Sequence, residues 1–94
     1  MRTIELSKSF KKDYKRTKAN PRHAKDVRAL YEAVALLLAE DKPLPENCRD
    51  HALVGEWEGY RECHLKPDLL LIYKTDEPGL LRIARLGSHS DLFR

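Results

Sequence analysis

Hydrophobic positions recur along the chain in two rhythms, and the change between them divides it. Ala24, Val27, Leu30, Tyr31, Val34, Leu37 and Leu38 follow one another mostly in steps of three and four, the spacing of one helical face. Before them, Leu6, Phe10, Tyr14 and Thr17 mark a shorter helix with lysines on its other side. Ser7 or Ser9 is placed to cap it, since a serine oxygen can accept an orphan N–H of the first turn. Ala19-Asn20-Pro21 interrupts the pattern. Asn20 suits an N-cap and Pro21 a first helical position, so a second helix is predicted to start there and to stop before Pro43 and Pro45. The two helices form an αα-hairpin, preceded by a short strand at 3–6.

After the proline-bearing loop at 42–51 the period becomes that of strands. Ala52-Leu53-Val54 predicts a short strand, and 60–65 a longer one with Tyr60, Glu62 and His64 on one face. Lys66-Pro67-Asp68 is a tight turn. Residues 69–74 are almost continuously apolar, as expected of a central strand buried on both sides. A turn at 76–79 leads to a last strand at 80–86 and a short tail. The order is β-α-α followed by a β-meander. This predicts an α+β fold in which the helix hairpin covers one face of a small curved antiparallel sheet. With 94 residues, one domain spanning 1–94 is expected.

The longest apolar run, Ala33 to Ala39, has seven residues, far short of the roughly 18 or more of a membrane-spanning helix. The N-terminus lacks the apolar core of a secretory signal. Two cysteines, Cys48 and Cys63, make no disulfide framework, and reduced thiols in a cytoplasm are the simpler reading. The net charge of +3 is unevenly spread: residues 8–28 carry nine basic and two acidic groups, the remainder nine basic and thirteen acidic. A block of +7 against −4 suggests a polyanion or an acidic protein as partner, although lysines also cover the solvated faces of ordinary helices.

Tracing the meander brings remote residues together. The strand before the Lys66-Pro67-Asp68 turn ends near His64, the next begins just after Asp68, and the last returns to the same end and releases Ser88 and His89. A hairpin partner at 52–54 puts His51 there too, while His23 stays apart in the helical region. Three histidines and an aspartate converging in this way suit general acid–base work, because imidazole exchanges protons near neutrality. A metal site is the weaker reading, since neither HExxH nor CxxC is present. Cys63 precedes His64 on a strand, so the two point to opposite faces and Cys63 is assigned to the core. No nucleophile elbow, phosphate-binding loop or dinucleotide fingerprint occurs.

Residues 49–93 carry a further pattern: Arg49-Asp50-His51-Ala52-Leu53, Gly55-Glu56-Trp57-Glu58-Gly59-Tyr60-Arg61, His64-Leu65-Lys66-Pro67-Asp68, Leu71-Ile72-Tyr73-Lys74 and Arg85-Leu86-Gly87-Ser88-His89-Ser90-Asp91-Leu92-Phe93. In this order they resemble the YafQ branch of the RelE/ParE toxin superfamily, bacterial toxins of type II toxin–antitoxin modules. The resemblance implies a RelE-like fold and a ribosome-dependent, metal-independent endoribonuclease without cofactor, cutting mRNA in the ribosomal A site by attack of its own 2′-OH. The family's catalytic pattern falls on His51, His64, Asp68, His89 and Phe93. Within it, His89 is read as general acid, Asp68 or His51 as base, and His64 as a phosphate or orienting contact. Arg85 is read as an electrostatic clamp and Phe93 as a base-stacking ring, with Trp57 as packing. Lys11, Lys12 and Lys15 on the first helix would grip ribosomal RNA or receive an acidic antitoxin segment. Expected partners are the antitoxin, the ribosome and mRNA, with DNA reached through an antitoxin complex that represses its own operon. Glu58 departs from the pattern, which favours a basic residue there. The competing reading is a non-enzymatic ParE-type toxin that poisons a protein such as gyrase.

Overall fold

In the computed structural model, which describes residues 1–93, the helix hairpin lies against one face of a five-stranded sheet. The elements are β1 (Thr3–Leu6), α1 (Lys8–Ala19), α2 (Val27–Ala39), β2 (His51–Ala52), β3 (Arg61–Lys66), β4 (Leu69–Lys74), β5 (Leu80–Gly87) and α3 (His89–Leu92). Strand order across the sheet is β1-β5-β4-β3-β2. The β2-β3-β4-β5 pairs are antiparallel, as a meander requires, whereas β1 runs parallel to β5 with Thr3 opposite Leu80 and Leu6 opposite Ile83. The sheet is therefore mixed rather than wholly antiparallel: β1 lies along the free edge of the last strand and runs in the same direction.

Burial follows the sequence pattern. Strand β4 is covered on both sides, and Leu69, Leu71 and Tyr73 face the helices with Cys63, Leu65, Leu81, Ile83 and Leu86. Phe10, Val27, Val34 and Leu38 close this core from α1 and α2, and the Phe10 ring stacks on Tyr14 while Tyr31 of α2 packs tilted against both. A smaller cluster lies on the other sheet face. There Leu70, Ile72 and Leu92 are buried, with Leu53, Trp57, Tyr60, Ala84 and Phe93 packed around them.

Ser7 caps α1 by accepting the Phe10 amide, one of the two serines expected to do so. Helix α2 begins at Val27, not at Pro21. Residues 20–26 form successive turns in which Asn20 Oδ1 accepts the Arg22 amide and the Asp26 amide reaches back three residues to the His23 carbonyl. Side chains of this turn segment are directed at the sheet, as described below, and a regular first helical turn gives way to those contacts.

Candidate active site

The sheet face away from the helices holds two of the predicted catalytic residues, His51 and His64. His51 lies opposite Glu62 in the β2–β3 pair, and His64 opposite Leu70 in the β3–β4 pair. Directly opposed residues of an antiparallel pair share a face, so His51, Glu62 and His64 stand with Leu70 and Ile72. Cys63 and Leu65 alternate to the other side and are core. Burial pushes the Cys63 thiol far up, with smaller contributions from Cys48, Asp50 and Glu62, so it is no nucleophile.

Glu62 organises this group. Its side chain is 6% exposed, and its Oε1 lies 3.4 Å from His64 Nε2 and 3.9 Å from His51 Nε2. His51 Nδ1 donates to the Arg49 carbonyl at 2.7 Å. A carbonyl only accepts, so this bond fixes the proton on Nδ1 and leaves Nε2 as the nitrogen that gains or loses one. Arg49 has φ 48° and ψ 44°, and this left-handed turn swings its carbonyl under the imidazole. The sequence placed Glu62 on the right face but gave no sign of its burial between two histidines. The available signal was period-two alternation together with a histidine opposite it on the neighbouring strand.

Asp68 sits in the β3–β4 turn and is bound by Arg22 of the turn between α1 and α2. Beside it, Lys66 Nζ donates to the Arg22 carbonyl at 2.8 Å and to His23 Nδ1 at 3.2 Å, and pairs with Asp26 at 2.9 Å. His23, set apart by the sequence reading, is thus buried against the β3–β4 turn. The helix-hairpin turn clamps the loop that carries Asp68.

His89 reaches the same end of the sheet by another route. Register places His64, Leu70 and Gly87 in one row across three strands, and α3 starts two residues after Gly87. A Cβ at Gly87 would come within 3.3 Å of Asp91 Cβ and Leu92 Cδ2, so glycine lets α3 fold back onto the strand. Ser88 caps α3 in a reciprocal box with Asp91, and Leu92 anchors it in the outer cluster. His89 is exposed and lies against the half-buried Phe93, ring centroids 4.9 Å apart. Trp57 packs edge-on to Tyr60, the packing role expected of it.

Arg85 is engaged with α1. Its Nε donates to Asp13 Oδ2 at 2.7 Å and its Nη2 to Asp13 Oδ1 at 3.3 Å. The Leu86 amide donates to the same carboxylate at 3.0 Å. Strand β1 ends at the level of Ile83, so beyond it the edge of β5 lacks a strand partner, and Asp13 supplies an acceptor there. Burial alone would raise the Asp13 carboxyl. The Arg85 and Leu86 hydrogen bonds and the charges of Arg85 and Arg16 together hold it below the ordinary aspartate range. Lys11, Lys12 and Lys15 are exposed along α1. Among the described residues no three His, Cys, Asp or Glu groups are arranged to hold a metal ion, and no helix is long and apolar enough to cross a membrane.

Comparison with known proteins bears on this geometry. A family model described as the bacterial toxin of the type II toxin–antitoxin system, YafQ, matches residues 2–94. The mRNA interferase toxin YafQ of Escherichia coli K12 is 45% identical over 92 residues, spanning 98% of this chain and 96% of that protein. Among solved structures, a copper-bound mutant toxin from Helicobacter pylori superposes with a TM-score of 0.88 at 39% identity, covering 99% of this chain and 100% of the other. The E. coli DinJ–YafQ complex gives 0.82 at 42% identity over the full length of both chains.

Proposed function

The chain belongs to the YafQ family of bacterial type II toxin–antitoxin toxins, and from that premise we propose that it is an mRNA interferase that works on the ribosome and cuts by acid–base catalysis. The observation that carries the chemistry is the pair of imidazoles, His51 and His64, each within 4 Å of one buried carboxylate on the helix-free face of the sheet.

In this reading the 2′-OH of the substrate attacks the adjacent phosphorus and its proton passes to a base. The bond to the 5′-oxygen breaks as an acid protonates that oxygen, leaving a 2′,3′-cyclic phosphate and a 5′-hydroxyl. His51 is the base that fits better. Its Nδ1–H is committed to the Arg49 carbonyl, and Nε2 is left to take the proton. Glu62 Oε1, 3.9 Å from that same Nε2, then faces the charge that His51 acquires. Asp68 is bound to Arg22 and is read as fixing the turn beside His64, which meets the phosphate. His89 is the acid, exposed at the end of α3, and the adjacent Phe93 ring is placed to stack on a base. Two guanidinium nitrogens of Arg85 serve Asp13, which leaves Nη1 as the donor it offers a phosphate.

A proton-transfer residue contributes typically ~10²–10⁴-fold. His89→Ala is therefore expected to abolish growth arrest and in-frame cuts in a reporter mRNA, read by primer extension, while melting as the wild type does. A folded His89→Ala protein that remains equally toxic would remove the acid. The cognate antitoxin is the protein partner in this reading, and their complex represses the operon that encodes both.

A further inference from the structure

The strand that carries His51 is short. Strand β2 pairs with β3 through His51 opposite Glu62 and Ala52 opposite Arg61, and the Leu53 amide continues the pairing to the Tyr60 carbonyl. Just before the strand, the side chain of Asp50 ties the chain down. Its Oδ1 accepts from the hydroxyl of Tyr73 on β4 and from Arg61 Nε at 3.3 Å, and its Oδ2 accepts from Arg61 Nη2 at 3.4 Å. Arg61 is partly solvated, whereas Tyr73 is 2% exposed with its ring in the core beneath the helices. Burial, and then the bond to Asp50, push the Tyr73 hydroxyl up, so it stays a donor at neutral pH. Asp50 thus fastens the edge of the sheet to a fixed point on its central strand.

This anchor and the imidazole lie on opposite faces. Asp50, Arg61 and Tyr73 line a cavity of about 400 Å³ together with Leu38 of α2 and Leu44, while His51 stands with Glu62 and His64 on the helix-free face. One peptide unit connects the two. His51 Nδ1 donates to the Arg49 carbonyl, and that carbonyl shares a rigid plane with the Asp50 nitrogen. The left-handed turn at Arg49 sets the plane from one side, and the tethered Asp50 sets it from the other. Turning the plane would carry the carbonyl away from Nδ1. A neutral imidazole without that acceptor is free to hold its proton on Nε2 instead, the nitrogen a base must keep open.

We propose that Asp50, held by Tyr73 and Arg61, is a positioning residue for His51: it fixes the peptide plane whose carbonyl keeps the imidazole proton on Nδ1. The proposal rests on the assignment of His51 as base and deepens it by naming what prepares that base.

The test uses three full-length variants, Tyr73→Phe, Asp50→Ala and Asp50→Asn. Tyr73→Phe keeps the buried ring and removes the donor. Single-turnover cleavage on programmed ribosomes, followed over a range of ribosome concentrations, separates the maximal rate from binding. The ¹⁵N shifts of the His51 ring report which nitrogen carries the proton. Tyr73→Phe and Asp50→Ala are expected to lower the maximal rate by about tenfold to 10²-fold at an unchanged half-saturating concentration, with part of the His51 population protonated on Nε2. Asp50→Asn keeps an oxygen that accepts from Tyr73 and should recover part of the lost rate. Should Tyr73→Phe melt too low to assay, Asp50→Ala, at the partly exposed edge, carries the test. Wild-type rates and an unchanged His51 proton in the folded variants would overturn the proposal and leave the ribonuclease reading standing. So would a slower rate with the His51 proton unmoved, which would reduce the network to a structural support. A moved proton with unimpaired cleavage would remove His51 as base. A wild-type chain that cuts no mRNA on programmed ribosomes would overturn the ribonuclease reading and this proposal with it.

Discussion

Glu62→Gln keeps the side chain's size and removes the charge that His51 and His64 share. On the proposed mechanism, single-turnover cleavage on programmed ribosomes should fall roughly 10²-fold, with an altered pH profile and little change in melting temperature. Glu62→Asp should restore part of the rate. A Gln variant that cuts at the wild-type rate would take Glu62 out of the chemistry. Because the groups assigned to move protons are side chains, a chelator selective for transition metals is expected to leave cleavage unchanged. Cleavage that depends on a stoichiometric metal, found by elemental analysis, would overturn the acid–base account. His64 and Asp68 lie at the β3–β4 turn and the His64 row runs on to Gly87, two residues before His89, as the meander predicts, whereas His51 pairs with Glu62 nearer the start of β3. Glu62 was not legible, since alternation assigns a face and says nothing of what covers it. His23 was misplaced because a turn between helices gives no sequence sign of the strand turn it packs on.

At the scale of elements, the contact between α1 and β5 depends on one buried carboxylate. Asp13 has a 3%-exposed side chain and three donors, Arg85, Arg16 and the Leu86 amide. Removing one partner of a buried pair costs ~3–5 kcal/mol, so Asp13→Ala should lower the melting temperature by about 12 °C or more in a domain this size. The pH dependence has a definite sign. The folded-state carboxyl lies below its ordinary value, so its stabilisation is complete above the usual aspartate range near ~3.9 and is lost as pH falls through the lowered value. The stability gap between wild type and Asp13→Asn should therefore close in strong acid, and a gap independent of pH would refute the pairing. Sequence periodicity found α1, α2 and five strands, yet began α2 too early, set β2 at 52–54 rather than His51–Ala52 and read α3 as tail. Asn20 and Pro21 are good helix-start residues, but the Lys66 contacts to Arg22, His23 and Asp26 are long-range and outweigh that local preference.

Across the whole molecule, the basic block of the sequence divides between two surfaces. Arg22 and Asp26 turn toward the β3–β4 loop, while Lys11, Lys12 and Lys15 remain on the exposed side of α1. If those lysines hold ribosomal RNA, reversing all three to Glu should weaken co-sedimentation with ribosomes, and wild-type binding should itself fall steeply with salt. Cleavage of a short free RNA should survive the reversal. Binding unchanged at both low and ~0.1 M salt, where charges are still felt over about 10 Å, would remove α1 from the ribosome-facing surface. The N-terminal strand has a different consequence. Its partner, β5, lies 77 positions later, inside the sheet rather than at its edge, and His89 follows directly after it. While the chain is being synthesised, β1 has no strand partner until β5 has been made, so the core cannot close before β5 emerges. Domains assemble as their segments emerge, and here the decisive segment emerges 77 positions after the strand that pairs with it. The edge strand and the candidate site beside α3 are therefore completed by the same segment of chain.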